Sequence, residues 1–95
     1  METQNKSLAE LQALSLEVHG KYDVDKSIVW MVEELGEFVQ AIRKKKAKND
    51  IEEELGDLLT WIFIIGNSMD LKIDNCITLS FKKEYERKNA KIKDK

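Results

Sequence analysis

The chain has no proline and only four glycines in 95 residues, so little in it would end a helix once one has begun. Hydrophobic residues make up 42% of the sequence, which is enough for a core. A chain of this size buries proportionally little surface, so oligomerisation is a natural source of further core. We therefore expect one small helical domain over residues 1–95, with frayed ends at residues 1–5 and 91–95.

Periodicity and capping residues predict four helices joined by short loops, which implies antiparallel neighbours. Ser7 and Glu10 have capping-box spacing at the start of the first helix, and Gly20 suits the left-handed position that ends it. Asn49 and Asp50 are both good N-caps for the third helix. The predicted helices run from Ser7 to His19, from Asp23 or Asp25 to about Ala47, from Asn49 or Asp50 to about Met69, and onward from about Asp74.

The second and third predicted helices carry the apolar residues that define the architecture. On the second helix these residues recur at spacings of three and four, at Ile28, Met31, Val32, Leu35, Phe38, Val39 and Ile42. The third helix is apolar nearly all round from Trp61 to Ile65, which indicates burial on more than one side. We expect an all-α, antiparallel four-helix bundle-like domain, completed as a homodimer or homotetramer through these two helices.

Charge and cysteine usage exclude several classes of protein. The net charge of −2 does not suit a protein that coats a nucleic acid polymer. Cys76 is the only cysteine, so neither an internal disulfide nor a cysteine metal cluster is expected. Residues 1–7 lack an apolar signal core, and the apolar run from Trp61 to Ile65 is too short to span a bilayer. These features predict a cytoplasmic protein with no membrane partner.

An acidic motif occurs twice. The segment Glu33–Phe38 (EELGEF) recurs as Glu53–Leu58 (EELGDL) on the next predicted helix. In each copy two acids lie three residues apart, so their carboxylates are neighbours on a helix. The two pairs are Glu34 with Glu37, and Glu54 with Asp57. If the two helices pack antiparallel through their apolar stripes, all four carboxylates converge on one cluster.

Four carboxylates in a partly desolvated cleft repel one another, and a hard divalent cation resolves the conflict. Mg²⁺ prefers oxygen ligands and keeps waters and substrate phosphates in its shell. Gly36 and Gly56 occupy equivalent places in the two motifs, which suggests a close approach of the two backbones. A single motif of this kind is more often a solvated helix face, but two matched copies favour a metal site.

The paired motifs, E-E-x-x-E at Glu33, Glu34 and Glu37 and E-x-x-D at Glu54 and Asp57, resemble those of the MazG-like nucleotide pyrophosphohydrolases. The resemblance covers most of the chain and implies Mg²⁺-dependent cleavage of a nucleoside triphosphate to the monophosphate and pyrophosphate, with Mn²⁺ as a substitute. It implies metal binding by the last two acids of the first motif and both acids of the second. It leaves Glu33 to orient the water, and carboxylates such as Glu37 can accept its proton. House-cleaning of non-standard nucleotides is the biological role that the family suggests.

Candidate substrate contacts lie outside the acidic motifs. Metal leaves part of a triphosphate's charge unbalanced, so cations of the last helix are candidates: Lys82, Lys83, Arg87 and Lys88. Lys88-Asn89 resembles a Lys-Asn pair that the family often has in this helix, although a solvated basic tail explains these residues equally well. Trp30 and Trp61 lie near the proposed ligands, where they would stack on a base, wall the pocket or simply pack in the core or an interface.

Three other functions compete with this hypothesis. A phosphoribosyl-ATP pyrophosphohydrolase has a similar acidic pattern. A non-catalytic helical dimerisation module would use the apolar third helix equally well. A di-iron carboxylate bundle uses Glu-x-x-His motifs, and neither acidic pair here contains histidine.

Overall fold

Three connections of four residues each separate four long helices in the computed structural model. The structure describes the backbone of residues 2–93 and the side chains of residues 2–90. The helices are α1 (Leu8–His19), α2 (Val24–Arg43), α3 (Lys48–Ser68) and α4 (Ile73–Lys93). The all-α prediction is confirmed. The predicted fraying falls partly on residues 1, 94 and 95, which lie outside the described residues, and it stays a prediction; α4 is helical through Lys93.

Both predicted signals at the ends of α1 are confirmed. The Ser7 hydroxyl accepts a hydrogen bond from the backbone N–H of Glu10 at 3.1 Å, and the Glu10 carboxylate accepts one from the N–H of Ser7 at 2.9 Å. Gly20 has φ 72°, a left-handed conformation that favours glycine, and its N–H donates to the carbonyl of Leu16. The chain is therefore free to reverse into α2 within four residues.

The end of α2 differs from its prediction at about Ala47. The helix stops at Arg43 in a Schellman motif, with the N–H of Lys46 bonded to the carbonyl of Ala41 at 3.1 Å. Lys45 takes the left-handed position at φ 54°, where glycine is usual. The helix was predicted to run to about Ala47, with the lysines of residues 44–46 in its last turns where cations suit the helix dipole, but the turn needs these residues to reverse the chain.

The start of α3 was also predicted wrongly. Ala47 is the N-cap, and α3 begins at Lys48, so Asn49 and Asp50 lie inside the first turn. No side chain caps this helix, although the Asn49 amide lies 3.4 Å from a carboxylate oxygen of Glu53. The four-residue turn after α2 determines where α3 begins, and it overrides the local preference of Asn49 and Asp50 for the cap.

α2 and α3 pack against each other as an antiparallel hairpin through a narrow seam. On α2 the least exposed positions are Ser27, Met31, Glu34, Phe38 and Ala41, spaced alternately by four and three residues. On α3 they include Ile51, Glu54, Leu58, Trp61 and Ile64. This spacing is that of helices packed nearly antiparallel. Each helix therefore places an acid within the packed seam itself.

The apolar stripe of α2 does not fill this seam, contrary to the predicted packing. Its members at Ile28, Val32, Leu35, Val39 and Ile42 are between 42% and 56% exposed. Leu55, Leu59 and Ile62 of α3 are exposed as well, at 37% to 43%. The seam is only one residue wide on each helix. A single chain therefore covers the seam positions and leaves the adjacent apolar side chains exposed. The hairpin consequently keeps a continuous set of apolar side chains in contact with solvent.

A hydrogen-bond network ties α1 to the junction of α3 and α4. The Gln12 amide donates to the Asn67 side chain at 3.0 Å and to the Leu71 carbonyl at 2.6 Å, and it accepts from the N–H of Ile73 at 2.9 Å. The Asn67 amide donates back to the carbonyl of Gln12 at 3.1 Å. Asn67 is buried, so these bonds satisfy groups that water does not reach freely.

α4 makes most of its contacts with α1 and presents much of its surface to solvent. Phe81 and Tyr85, one turn apart, are 69% and 68% exposed. Within residues 2–93, none of the helices is both long enough and apolar enough to cross a membrane.

We expect Gln12→Ala to lower the free energy of unfolding by about 2–3 kcal/mol, because it removes three hydrogen bonds, two of them partly buried, and leaves their partners unpaired. Glu17→Ala, at an exposed position of the same helix, is the control and should change the stability by less than about 0.5 kcal/mol. Urea unfolding followed by circular dichroism measures both. Equal midpoints for Gln12→Ala and the parent protein would contradict this role for the network.

Candidate metal centre

The four acids of the repeated motif meet where α2 and α3 cross. One carboxylate oxygen each of Glu34, Glu54 and Asp57 lies within 4.8 Å of the others. The Glu37 carboxylate lies beside this group, close enough to affect the ionisation of both Glu34 and Glu54. The seam produces this arrangement, because the helices run antiparallel and the two motifs occupy the same level of the hairpin.

Two of the carboxylate oxygens have no hydrogen-bond partner. They are the Oε2 atoms of Glu34 and Glu54, and both are buried from solvent. A buried carboxylate oxygen without a partner loses its hydration and gains nothing in return, so such atoms are rare unless they coordinate an ion. With Mg²⁺–oxygen distances of about 2.1 Å, two ligands of one ion are at most about 4.2 Å apart. The three oxygens lie within 4.8 Å of one another, so modest side-chain movement would let them share one divalent cation.

Both buried carboxylates have a raised pKa. Burial raises the pKa of Glu34 above its ordinary value of 4.5, and the neighbouring charges of Glu37 and Asp57 raise it further. For Glu54 burial is again the largest cause, followed by the charges of Glu37 and Asp57, while the Lys46 ammonium acts in the opposite direction. Without a cation the cluster would be destabilised by its own charge, and a bound cation would relieve that repulsion.

Glu33 and Glu37 line an open groove beside the seam. This groove runs along the exposed side of α2, has a volume of about 630 Å³, and continues past Gln40 to Arg43 and Lys44. Glu37 borders both the groove and the cluster of Glu34, Glu54 and Asp57. A ligand in the groove would therefore contact a metal in the cluster and the carboxylate of Glu33.

The two motif glycines do not bring the backbones together, contrary to the expectation. A Cβ atom added at Gly36 or Gly56 would meet no other atom within 4 Å. Gly36 instead lines the groove beside Glu33 and Glu37, where the missing side chain keeps the space open. The close approach occurs at Gly66, where a Cβ atom would lie 3.2 Å from the side chain of Ile73.

The two tryptophans form an aromatic group next to the acids. The Trp30 and Trp61 rings are stacked, with centroids 6.0 Å apart and an angle of 11° between their planes. Tyr22 packs edge-on against Trp61 at 5.7 Å. Together with Asp23 and Lys26 these rings line a cavity of about 290 Å³. Trp30 is one turn before Glu34 on α2, and Trp61 is one turn after Asp57 on α3, so the cavity adjoins the cluster.

The predicted cations of the last helix are not brought to this site within one chain. α4 packs chiefly against α1, and Lys82, Lys83, Arg87 and Lys88 are exposed, while Asn89 is half-buried. Arg87 forms an ion pair with Glu84 on its own helix. Basic residues at the end of α2 and in the α2–α3 turn lie near the acids instead, since the Lys46 ammonium lowers the pKa of Glu54 and Arg43 lines the groove.

Sequence reasoning missed these turn residues and Tyr22. The lysine run of residues 44–46 was interpreted as a complement to the helix dipole, which required no ligand. The position of this lysine run between the two acidic motifs could have indicated its role. A short turn between two paired helices must lie at the end of the hairpin that carries both motifs. Tyr22 lies in the connection before α2, where no periodicity indicates a neighbour.

The family model for the MazG nucleotide pyrophosphohydrolase domain matches residues 23–91. The fold is similar to a crystal structure described as the Bacillus-conserved MazG protein, a nucleotide pyrophosphohydrolase. The TM-score is 0.76 with 23% identity, over 87% of this chain and 92% of that one. Comparison with curated protein sequences gave no match. The chain belongs to the MazG nucleotide pyrophosphohydrolase family, a family of enzymes that hydrolyse acid anhydrides.

We expect the metal-free protein to become more stable as the pH falls from neutral towards 4.5. The folded-state pKa of Glu34 and of Glu54 is raised above the ordinary 4.5, so the folded state binds more protons than the unfolded state in this interval. Thermal unfolding in EDTA across this range measures the effect.

Glu34→Gln/Glu54→Gln should flatten this pH dependence, because it removes both groups with a raised pKa. Saturating Mg²⁺ should stabilise the parent protein most at neutral pH, where the carboxylates are ionised. A metal-free protein that loses stability steadily between neutral pH and pH 5 would contradict the electrostatic account of the cluster.

Proposed function

We propose that this enzyme hydrolyses a nucleoside triphosphate to the monophosphate and pyrophosphate, with Mg²⁺ bound by Glu34, Glu37, Glu54 and Asp57. The unpaired, buried oxygens of Glu34 and Glu54 carry the proposal, because these two carboxylates and that of Asp57 each place one oxygen within 4.8 Å of the others. Membership of the MazG family supports the reaction. Mn²⁺, which takes the same oxygen ligands, is the expected substitute.

The chain's own residues divide the work of the reaction. When bound, Mg²⁺ supplies positive charge that neutralises the phosphates and aligns them for attack. Glu37 borders the groove and accepts the proton of the attacking water, while Glu33, one turn away, holds that water by a hydrogen bond. Water adds to the α-phosphorus, the bond to the bridging oxygen breaks, and pyrophosphate leaves with the electron pair.

The aromatic cavity is the proposed site for the base. The Trp30 and Trp61 rings are too close for a base to enter between them, but Trp30 is 51% exposed and offers its outer face for stacking. Asp23 and Lys26 supply polar groups at the rim of the cavity. Phosphoribosyl-ATP is an alternative substrate, because its hydrolysis also releases pyrophosphate. The proposed biological role is the removal of non-standard nucleotides.

A second copy of the chain is the proposed cover for the exposed apolar stripes of α2 and α3. Eight apolar side chains of one hairpin remain in contact with solvent in the single chain, and monomers rarely keep a patch of that kind uncovered. In such a dimer or tetramer, α4 of one protomer can approach the acids of the other. Lys82, Arg87, Lys88 and Asn89 are proposed to contact substrate by this route.

A panel of common and modified nucleoside triphosphates, with phosphoribosyl-ATP included, tests the reaction under Mg²⁺ and Mn²⁺. We expect pyrophosphate and the monophosphate from at least one compound. Glu37→Gln and Asp57→Asn should each lower turnover by about a hundredfold or more, because each removes a charged metal ligand. Glu52→Gln, an exposed acid of α3 outside the cluster, should retain activity. No product from any compound would favour the non-catalytic dimerisation module.

Light scattering tests the dimer. We expect a dimer or tetramer at micromolar concentration, and Val32→Glu should shift it towards the monomer because the new charge would be buried without a partner. Val18→Glu is the matched control, since Val18 is 53% exposed on α1 and Val32 is 56% exposed on α2. A stable monomeric parent protein would exclude this use of the apolar stripe.

A further inference from the structure

Three features lie in order along the hairpin of α2 and α3. The aromatic cavity is at Trp30, the acid cluster is at Glu34 and Glu37, and the cations follow at Arg43 and Lys44. Because a helix rises 1.5 Å per residue, Glu37 and Lys44 are about 10 Å apart along the axis of α2. One groove of about 630 Å³ joins these two residues without interruption.

The turn after α2 holds a third cation near the cluster. The Schellman motif fixes the backbone of Lys46 through its hydrogen bond to the carbonyl of Ala41. Lys46 lies two residues before the start of α3 and Glu54 lies six residues into it, so the two are about 10 Å apart along the hairpin.

The order of these features specifies the direction of the substrate. A base stacked on Trp30 places the α-phosphate at the acid cluster, and the next phosphates then extend towards the cations. The electron pair of the broken bond leaves with the pyrophosphate, so positive charge is most useful on that side of the reacting phosphorus. A reversed substrate would place its phosphates against the aromatic rings and its base against the cations.

We propose that Arg43, Lys44 and Lys46 bind the pyrophosphate portion of the substrate, and that the nucleotide lies along α2 with its base at the aromatic cavity. This inference rests on the proposed function, since it assigns a direction to the substrate of the same site. The cations also lie at the C-terminal end of α2, where they offset the helix dipole. That role requires no ligand, so the test must separate it from phosphate binding.

The test compares Arg43→Gln/Lys44→Gln/Lys46→Gln with the parent protein by titration calorimetry, using inorganic pyrophosphate and a nucleoside monophosphate in the presence of Mn²⁺. We expect pyrophosphate to bind about tenfold more weakly or worse, because charge-assisted contacts are lost. The monophosphate should change by less than about threefold, since its phosphate lies at the cluster. Mn²⁺ affinity, from its electron paramagnetic resonance signal, should stay the same or increase because three positive charges have been removed from the vicinity of the acids.

Lys48→Gln is the matched control, because Lys48 is an exposed lysine that follows the same turn as the first residue of α3. It should bind pyrophosphate as the parent does. If the triple variant is less stable but binds pyrophosphate normally, the cations act only on the helix dipole and the inference is overturned while the proposed function stands. Equal weakening of both ligands would overturn the proposed direction. A parent protein that binds neither Mn²⁺ nor pyrophosphate would overturn the proposed function itself.

Discussion

The burial of two carboxylates in the seam of a helical hairpin is the constraint on which the rest of the molecule depends. Glu34 and Glu54 occupy positions that a purely structural hairpin would give to leucine, and without a cation their unpaired oxygens would lower the stability of the fold. Such a cost is typical of sites where function opposes stability. The seam persists because Met31, Phe38, Leu58 and the aromatic group pack above and below the acids.

The narrowness of that seam has a second consequence. Since two of the central positions of the hairpin are acids, a single chain buries little apolar surface, and only Ala41 and Ile64 are fully buried hydrophobic residues among those described. The apolar residues that would complete a core face outward on α2 and α3. The metal site and the proposed dimer are therefore linked, because the same hairpin uses one face for charge and the adjacent face for association.

The proposed arrangement of substrate follows from the geometry of the hairpin. A helix is a rigid scaffold on which groups keep a definite order and spacing. The aromatic ring, the acids and the cations of α2 all lie on one such scaffold. α3 supplies a second aromatic ring and two further acids opposite those of α2. The turn between the helices then acts as part of the site, because its Schellman motif holds Lys46 near Glu54.

The sequence by itself determined the helical class, the number of helices, both ends of α1 and the pairing of the two acidic motifs. These depend on periodicity, capping and spacing, which are local properties. Only the tertiary structure decided that Glu34 and Glu54 lie within the seam, and that the apolar stripe of α2 faces solvent. It also ended α2 at Arg43 and brought Lys46 near the cluster. These outcomes depend on which face of each helix packs and how sharply the turn reverses, and neighbouring residues in the sequence specify neither.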